Sequence, residues 1–256
     1  MKHQLFLLAE LVKRDFRGRY AGSLLGFVWP FLLPLWQLVL FTFVFSTVMR
    51  ISMVGERTGS FAIFLFAGLL PWMAVNEGIT RSATAVTDNA ELVRHSRFRA
   101  EVLVMTVVLG GVIQQLIAGM VFTVILAVRG ELVVCGLPLL LVALPLQVVM
   151  TLGLGFFVCS VHTIFRDVAQ LVGLVLMGWF YLTPIVYPAS LVPEQYRGWL
   201  RWNPLTVLVG LYRQAFLGGG GDWLAGALWL AAVGAVLLAA GWGLFRRLQS
   251  TFADEI

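Results

Sequence analysis

LVKRDFRGRYAGSLLGFVWPFLLP, residues 11–34, decides the class of fold to which this chain belongs. Four positive charges lie within the seven residues 13–19, and no Asp, Glu, Lys or Arg follows until Arg50. A helix of about 20 apolar residues crosses the roughly 30 Å hydrocarbon core of a bilayer. Positive charges beside such a helix stay on the cytoplasmic side. The stretch therefore predicts an interfacial segment that leads into a first membrane span.

The composition of the whole chain extends this interpretation. Of its 256 residues, 60% are hydrophobic and 12% are charged, whereas soluble domains carry about 25% charged residues. Six stretches without Asp, Glu, Lys or Arg are long enough to cross a bilayer: 20–49, 58–76, 102–128, 132–165, 168–193 and 223–245. These runs are continuous rather than alternating, which disfavours a membrane barrel.

The predicted fold is an all-α membrane protein with six transmembrane helices. A cytoplasmic interfacial helix occupies 1–22 and a transmembrane domain occupies 23–256. The approximate spans are 27–49, 60–84, 102–128, 134–162, 168–187 and 223–245.

The distribution of Lys and Arg predicts that both termini are cytoplasmic. With that orientation, twelve positive residues lie inside: Lys2, Lys13, Arg14, Arg17, Arg19, Arg81, Arg94, Arg97, Arg99, Arg166, Arg246 and Arg247. Six lie outside: Arg50, Arg57, Arg129, Arg197, Arg201 and Arg213. Such an excess follows the positive-inside rule. The charges flank membrane spans, so they do not indicate a nucleic-acid partner. The charged first nineteen residues do not resemble a cleavable signal peptide.

The N-terminal segment has the pattern of an amphipathic helix. One predicted face is apolar: Leu5, Leu8, Val12 and Phe16. The other is charged: Glu10, Lys13, Arg14 and Arg17. Such a helix lies in the membrane interface. It is either a plain anchor or a docking surface for a cytoplasmic partner.

A second candidate contact is the loop helix predicted at 88–100. Asp88 and Glu91 have the spacing of a capping box. Leu92 offers an apolar contact, and Arg94 and Arg97 offer charge. The alternative is an ordinary basic loop.

Glu77 is the carboxylate that lies well inside a predicted span, and Arg81 follows it four residues later. Residues at this spacing meet on one helix face. Intramembrane ionisable groups are functional candidates, so the pair is either structural or part of a substrate entrance.

The segment 188–222, between the fifth and sixth spans, mixes Pro, Trp, Tyr and Arg. Two short amphipathic helices broken at Asn203-Pro204 are predicted here, entering the outer leaflet without crossing it.

Several chemistries have no support in the sequence. Lys2 and Lys13 are the only lysines and neither follows a glycine, so there is no phosphate-binding loop for ATP. The histidines His3, His95 and His162 and the cysteines Cys135 and Cys159 show no zinc-site spacing. Along one helix the cysteines would lie about 36 Å apart, too far for a disulfide. No clustered polar groups are evident in the spans. We therefore expect no cofactor, metal or catalytic site in this chain.

Six short motifs carry a family resemblance: LVKRDFRGRYAGSLLGFVWPFLLP (11–34), FAGLLPW (66–72), NAELVRHSRF (89–98), FRDV (165–168), TPIVYP (183–188) and WNPL (202–205). In this order and spacing the chain resembles, over nearly its whole length, the membrane subunit of ABC-2-type polysaccharide exporters. Those proteins move O-antigen, capsule or teichoic-acid chains.

The resemblance implies an inner-membrane complex of two copies of this chain and two copies of a separate ATPase, which would bind ATP and Mg. Lipid-linked polysaccharide, O-antigen first among the candidates, would pass to the periplasm through a channel at the homodimer centre. The ATPase would contact the N-terminal helix and the 88–100 helix through Glu10, Arg14, Arg17, Asp88, Glu91, Leu92, Arg94 and Arg97.

The resemblance also suggests site residues within and outside the membrane. The channel and substrate candidates are Trp29, Trp36, Trp72, Glu77, Arg81, Phe180 and Tyr181. The periplasmic gate candidates are Tyr187, Arg197, Trp199, Arg201, Trp202 and Arg213. The three gate arginines either contact phosphates of lipid or carrier or extend to lipid head groups. Alternatives for the whole chain are an ABC-2 permease for a drug or lipid, an intramembrane enzyme and a passive channel.

Overall fold

The computed structural model describes residues 2–19, 25–49, 58–95, 99–219, 221–249 and 252, and the regular secondary structure within them is helical. Its α-helices are α1 (Lys2–Arg19), α2 (Trp29–Phe41), α3 (Phe61–Thr84), α4 (Ala90–His95), α5 (Glu101–Val128), α6 (Leu140–His162), α7 (Val168–Leu182), α8 (Glu194–Trp202), α9 (Pro204–Leu217) and α10 (Trp223–Leu248). The predicted all-α class is confirmed.

Four of the predicted spans are long and apolar enough to cross a membrane: α3, α5, the unit Val134–His162 that contains α6, and α10. The chain is thus a multi-pass membrane protein. The other two predicted spans correspond to shorter apolar helices, Trp29–Val44 and Val168–Leu182. The first of these continues from α2 through a π-helical segment that ends at Val48.

α7 ends five residues before the predicted boundary at 187, and Pro184 explains why. Thr183 precedes this proline and has extended torsions, φ −102° and ψ 134°. A proline disfavours helical torsions in the residue before it. The predicted end of this span was therefore wrong, and α7 has 15 residues, about 22 Å of helix.

α3 is the central helix of the bundle. It packs against α2, α5, α6, α7 and α9. Most of its residues are buried, including the continuous apolar stretch from Phe61 to Gly68. A helix that is apolar on all sides is expected to be surrounded by other helices. The burial of α3 therefore follows from the sequence of residues 61–72.

α6 and α10 form the most extensive helix–helix contact, and glycines make their close approach possible. A Cβ atom at Gly153 would lie 2.5 Å from the Leu237 carbonyl carbon, and one at Gly241 would overlap the Gly153 carbonyl oxygen. Small residues allow membrane helices to approach until their backbones touch. The α6–α10 contact therefore depends on the absence of side chains at these two positions.

A separate apolar cluster lies at the predicted cytoplasmic end of the bundle. Phe156 of α6 packs edge-on against Phe245 of α10 at 5.2 Å, together with residues of the α3–α4 connection and of early α5. Glu101, 4% exposed, accepts a hydrogen bond from Gln249 at 3.3 Å and lies 3.8 Å from Arg246. The cluster packs the α3–α4 connection against the ends of α6 and α10.

The close contact at Gly153 and Gly241 predicts that a larger side chain at either glycine lowers the stability of the protein. Gly241→Leu should destabilise the protein by about 3 kcal/mol, because overpacking typically costs 1–3 kcal/mol and here the obstacle is backbone. Thermal unfolding of the purified protein in detergent, followed by Trp fluorescence, should show a lower Tm.

Gly243→Leu is the matched control, because a Cβ atom at Gly243 has no atom within 4 Å. It adds the same side chain to the same helix and should leave Tm close to that of the unchanged protein. Equal Tm values for the two variants would contradict the assigned α6–α10 contact.

Candidate functional site

The amphipathic character of α1 is confirmed. Leu11 and Val12 are each 8% exposed on a helix that packs against α5, and Phe16 is half-buried. The side chain of Leu5 lies outside the described residues. The predicted charged face is exposed: Glu10, Lys13, Arg14 and Arg17. The three ATPase-contact candidates on α1 are therefore exposed, and Arg14 also lines a pocket beside Asp88 and Leu103.

α1 is also joined to α3 by an ion pair that the sequence analysis missed. Arg81 Nη1 donates to Asp15 Oδ2 at 3.1 Å and Arg81 Nη2 to Asp15 Oδ1 at 2.5 Å. Two parallel bonds to one carboxylate give a directional, charge-assisted contact. The predicted pairing of Arg81 with Glu77 is confirmed at 3.5 Å. Asp15 was overlooked because it lies among four positive residues.

The second predicted cytoplasmic contact is shorter than expected. Residues Thr87–Asn89 form a 3-10 turn, and α4 covers Ala90–His95. Asp88 does not hold the predicted capping position, because it lies inside this 3-10 turn and not directly before a helix. The chain instead leaves α3 in nearly helical geometry, with Val86 at φ −81° and ψ −44°. Asp88 consequently lies inside the turn.

The remaining contact candidates of this loop are only partly described. Glu91 is exposed in the first turn of α4, and Leu92 is half-buried. The side chain of Arg94 and the whole of Arg97 lie outside the described residues. Four of the predicted charged contact residues are thus exposed: Glu10, Arg14, Arg17 and Glu91.

Three of the channel candidates form one aromatic group between α3 and α7. The rings of Trp72 and Phe180 are 5.4 Å apart, and those of Phe180 and Tyr181 are 5.2 Å apart. Trp72 is buried, whereas 58% of Tyr181 is exposed. The candidates on α2 are separate from this group: Trp29 is half-buried and Trp36 is 61% exposed.

A cavity of about 280 Å³ lies between α2, α3 and α5. Trp72 and Glu77, both predicted as channel residues, line it together with the amide side chains of Gln37, Asn76 and Gln114. The search for charge-free stretches could not find these amides, because Asn and Gln carry no charge. A count of amides within predicted spans would have found them.

A buried polar cluster corrects the expectation that the spans lack such groups. Gln115 of α5 donates to Gln147 of α6 at 3.1 Å and to the Tyr212 hydroxyl of α9 at 2.8 Å. Tyr212 donates to Gln147 at 2.7 Å, and Gln147 donates back to Gln115 at 2.7 Å. All three side chains are buried. Because they bond to one another, the cluster joins α5, α6 and α9.

The predicted break at Asn203-Pro204 is confirmed, and Asn203 is the centre of a hydrogen-bonded hub. Its Oδ1 accepts from Leu205 N at 3.0 Å, which caps α9, and from Trp179 Nε1 at 2.9 Å. Its Nδ2 donates to Thr183 Oγ1 at 2.9 Å. An Asn cap followed by Pro is a favoured start for a helix. Two motifs far apart in sequence, TPIVYP and WNPL, therefore meet in space.

Arg213 strengthens the same junction from α9. Its Nη1 donates to the Pro184 carbonyl and its Nη2 to the Ile185 carbonyl, both at 2.7 Å. Its guanidinium lies 3.6 Å from the centre of the Phe64 ring on α3. This gate candidate is half-buried and holds the end of α7 to the bundle.

The other gate candidates lie nearer the surface. Tyr187 donates to the Tyr181 carbonyl at 2.8 Å. Arg197 Nε donates to the Val192 carbonyl at 2.8 Å. The three on the rest of α8 are exposed: Trp199, Arg201 and Trp202. The structure therefore does not bring the six candidates into one site.

Comparison with known proteins agrees with this architecture. The sequence model of the ABC-2 type transporter family matches residues 7–217. The O-antigen export system permease protein RfbA of Myxococcus xanthus is 31% identical over 252 residues, which are 98% of this chain and 95% of that protein. A protein of the same name from Klebsiella pneumoniae is 28% identical over 97% of this chain and 94% of its own length.

A third relative carries a different name. The polysialic acid transport protein KpsM of Escherichia coli is 25% identical over 220 residues, 84% of this chain and 83% of that protein. The family match and the first relative each cover most of the chain. The chain therefore belongs to the ABC-2 type transporter family, as a membrane subunit without an ATPase domain.

Proposed function

We propose that this chain is the transmembrane subunit of an ATP-driven exporter that moves lipid-linked O-antigen polysaccharide from the cytoplasm to the periplasm. The observation that carries the proposal is the end-to-end match, at 31% identity, to an O-antigen export permease. Capsule export is the second candidate, because KpsM is also related over 84% of the chain.

The energy for transport comes from a partner. The chain has no phosphate-binding loop, and its family works with a separate ATPase. The exposed charges of α1 and of α4 form the docking surface for the ATPase. Each of two copies of this chain binds one copy of that ATPase. ATP and Mg bind to the partner.

Movement of the ATPase reaches the spans through the pairing of Asp15 with Arg81. The apolar side of α1 packs on α5, and the bidentate ion pair joins α1 to α3. Since α3 contacts five other helices, a displacement of α1 is passed to the centre of the bundle.

The polymer path lies between two copies, where α2 and α7 present aromatic residues. Trp36 and Tyr181 are largely exposed on these helices, and both helices pack on α3. Aromatic rings contact sugar rings without strict selectivity, which suits a moving polymer. The hub at Asn203 and Arg213 holds the outer segment, which acts as the periplasmic gate.

Six spans complete the arrangement in the inner membrane, with both termini cytoplasmic. α2 and its π-helical continuation cover Trp29–Val48, about 30 Å at 1.5 Å per residue. α7 is shorter, and the segment of α8 and α9 completes the outer part of the bundle at that position.

The function is tested by removing the gene for this chain from its source cell. Surface O-antigen should be lost, and lipid-linked polymer should accumulate inside; a plasmid copy should restore export. An immunoblot of whole cells and of lipopolysaccharide measures both. Unchanged O-antigen with loss of a capsule would select the second candidate, and no change in either polymer would refute the proposal.

The topology is tested with the native cysteines. Cys135 is exposed in the predicted outer region and Cys159 is buried, so a membrane-impermeant maleimide should label Cys135 in intact spheroplasts. An Arg17→Cys variant should gain a second label only after the membrane is permeabilised. Labelling of position 17 in intact spheroplasts would contradict a cytoplasmic N-terminus.

Two variants of α1 distinguish its role in binding the ATPase from its role in passing the movement of the ATPase to the spans. Arg14→Glu with Arg17→Glu should weaken ATPase binding about 30- to 150-fold, because reversed charges at a contact cost roughly 2 to 3 kcal/mol. Asp15→Asn should leave ATPase binding intact but lower the polymer exported per ATP hydrolysed. Co-purification and transport per ATP measure the two effects.

Each α1 variant has its own control. Arg166→Glu with Arg247→Glu changes charge equally at exposed positions outside α1 and α4, and should retain the ATPase. The exchange of Asp15→Arg with Arg81→Asp should restore part of the export lost in Asp15→Asn. Full ATPase binding by the Arg14 and Arg17 variant, or no rescue by the exchange, would overturn the respective assignment.

A further inference from the structure

The cavity between α2, α3 and α5 lies within one copy of the chain and at membrane depth. Gln37 comes eight residues after the start of α2, and Asn76 eight residues before the end of α3. Eight helical residues span about 12 Å. Both amides thus lie about 12 Å inside the predicted cytoplasmic boundary of the bilayer, at the same level.

The amides of Gln37 and Asn76 face this cavity without a hydrogen-bond partner among the residues that the structure describes. A polar group left unsatisfied at this depth costs several kcal/mol. Gln115, Gln147 and Tyr212 avoid that cost by bonding to one another. The two amides are therefore available to a polar ligand.

The other residues that line the cavity indicate the chemical class of the ligand. Trp72 is the tryptophan among the lining residues, and Glu77 and Gln114 supply further polar atoms. An indole face packs against the C–H face of a sugar ring, while amides and a carboxylate bond its neighbouring hydroxyl groups. Among the described residues that line the cavity there is no cation, and Glu77, which lies 3.5 Å from Arg81 outside the lining, contributes a carboxylate. This charge balance selects an uncharged, hydroxyl-rich ring over the phosphate of a lipid head group.

The volume sets the size of the ligand. About 280 Å³ lies just below the 300–1,000 Å³ typical of sites for drug-sized molecules. One monosaccharide ring therefore fits, and an oligosaccharide does not.

We propose that this cavity binds one sugar residue of the exported polymer within a single subunit, apart from the channel at the homodimer centre. The site rests on the proposed function, because it takes its ligand from that polymer. Gln37 and Asn76 bond the hydroxyl groups, Trp72 packs on the ring, and Glu77 orients it while paired to Arg81.

Photocrosslinking from Met73 tests the site. This residue lines the cavity and is 39% exposed, so p-benzoylphenylalanine placed there reaches a bound ligand. After irradiation of polymer-producing cells, the denatured chain should carry glycan, detected by periodate oxidation and hydrazide labelling. The same probe at Val236, 68% exposed on α10, should give no glycan adduct. Gln37→Leu with Asn76→Leu should lower the Met73 adduct at least tenfold.

A second measurement covers the case in which the Met73 probe prevents folding. Met73→Cys in the purified complex should react with maleimide at least fivefold more slowly when lipid-linked polymer extracted from the source membranes is present. A phospholipid adduct at Met73, equal glycan adducts at Met73 and Val236, or no protection of the cysteine would overturn the site.

The experiments distinguish an error in the cavity assignment from an error in the proposed function. If deletion of the gene abolishes surface polymer but Met73 gives no glycan adduct and no protection, only the cavity assignment is wrong. If deletion leaves every surface polymer unchanged, the proposed function itself is wrong.

Discussion

Enclosure of α3 by the other helices is the constraint on which the rest of the structure depends. This helix is apolar on nearly every side, and five helices cover it. Three of its residues, spread along its length, contact other elements. Phe64 near its first turn lies under Arg213, Trp72 near its middle contacts Phe180, and Arg81 near its last turn binds Asp15. A shift of α3 would therefore change contacts in three places: at the segment of α8 and α9, in the cavity and on α1.

Polar side chains stabilise the contacts around α3. Lipid tails are as apolar as apolar side chains, so the hydrophobic effect contributes little to helix association within a bilayer. The mutual hydrogen bonds of Gln115, Gln147 and Tyr212 fix α9 inside the bundle. Asn203 and Arg213 then fix the end of α7 to the start and the body of α9. The segment of α8 and α9 is consequently a bonded part of the helical bundle, and its movement requires several of these bonds to change.

Sequence reasoning predicted the features that depend on periodicity and charge. The all-helical class, the exposed charged face of α1, the Glu77–Arg81 pair and the break at Asn203-Pro204 follow from local patterns. It missed features that depend on residues distant in sequence. The pairing of Asp15 with Arg81 joins positions 66 residues apart, and that of Gln115 with Tyr212 joins positions 97 apart. The failed cap at Asp88 and the early end of α7 reflect backbone geometry set by the preceding helix and by Pro184.

In the proposed function, this chain conducts polysaccharide only when a separate ATPase moves it. The most direct measurement is the transport of fluorescently labelled lipid-linked polymer in proteoliposomes, followed by the protection of the label from an external quencher. With both the chain and its ATPase present, adding ATP and Mg should move the label across the bilayer, while either component alone should leave it in place. Movement without ATP, or movement by the ATPase in liposomes that lack this chain, would contradict the account.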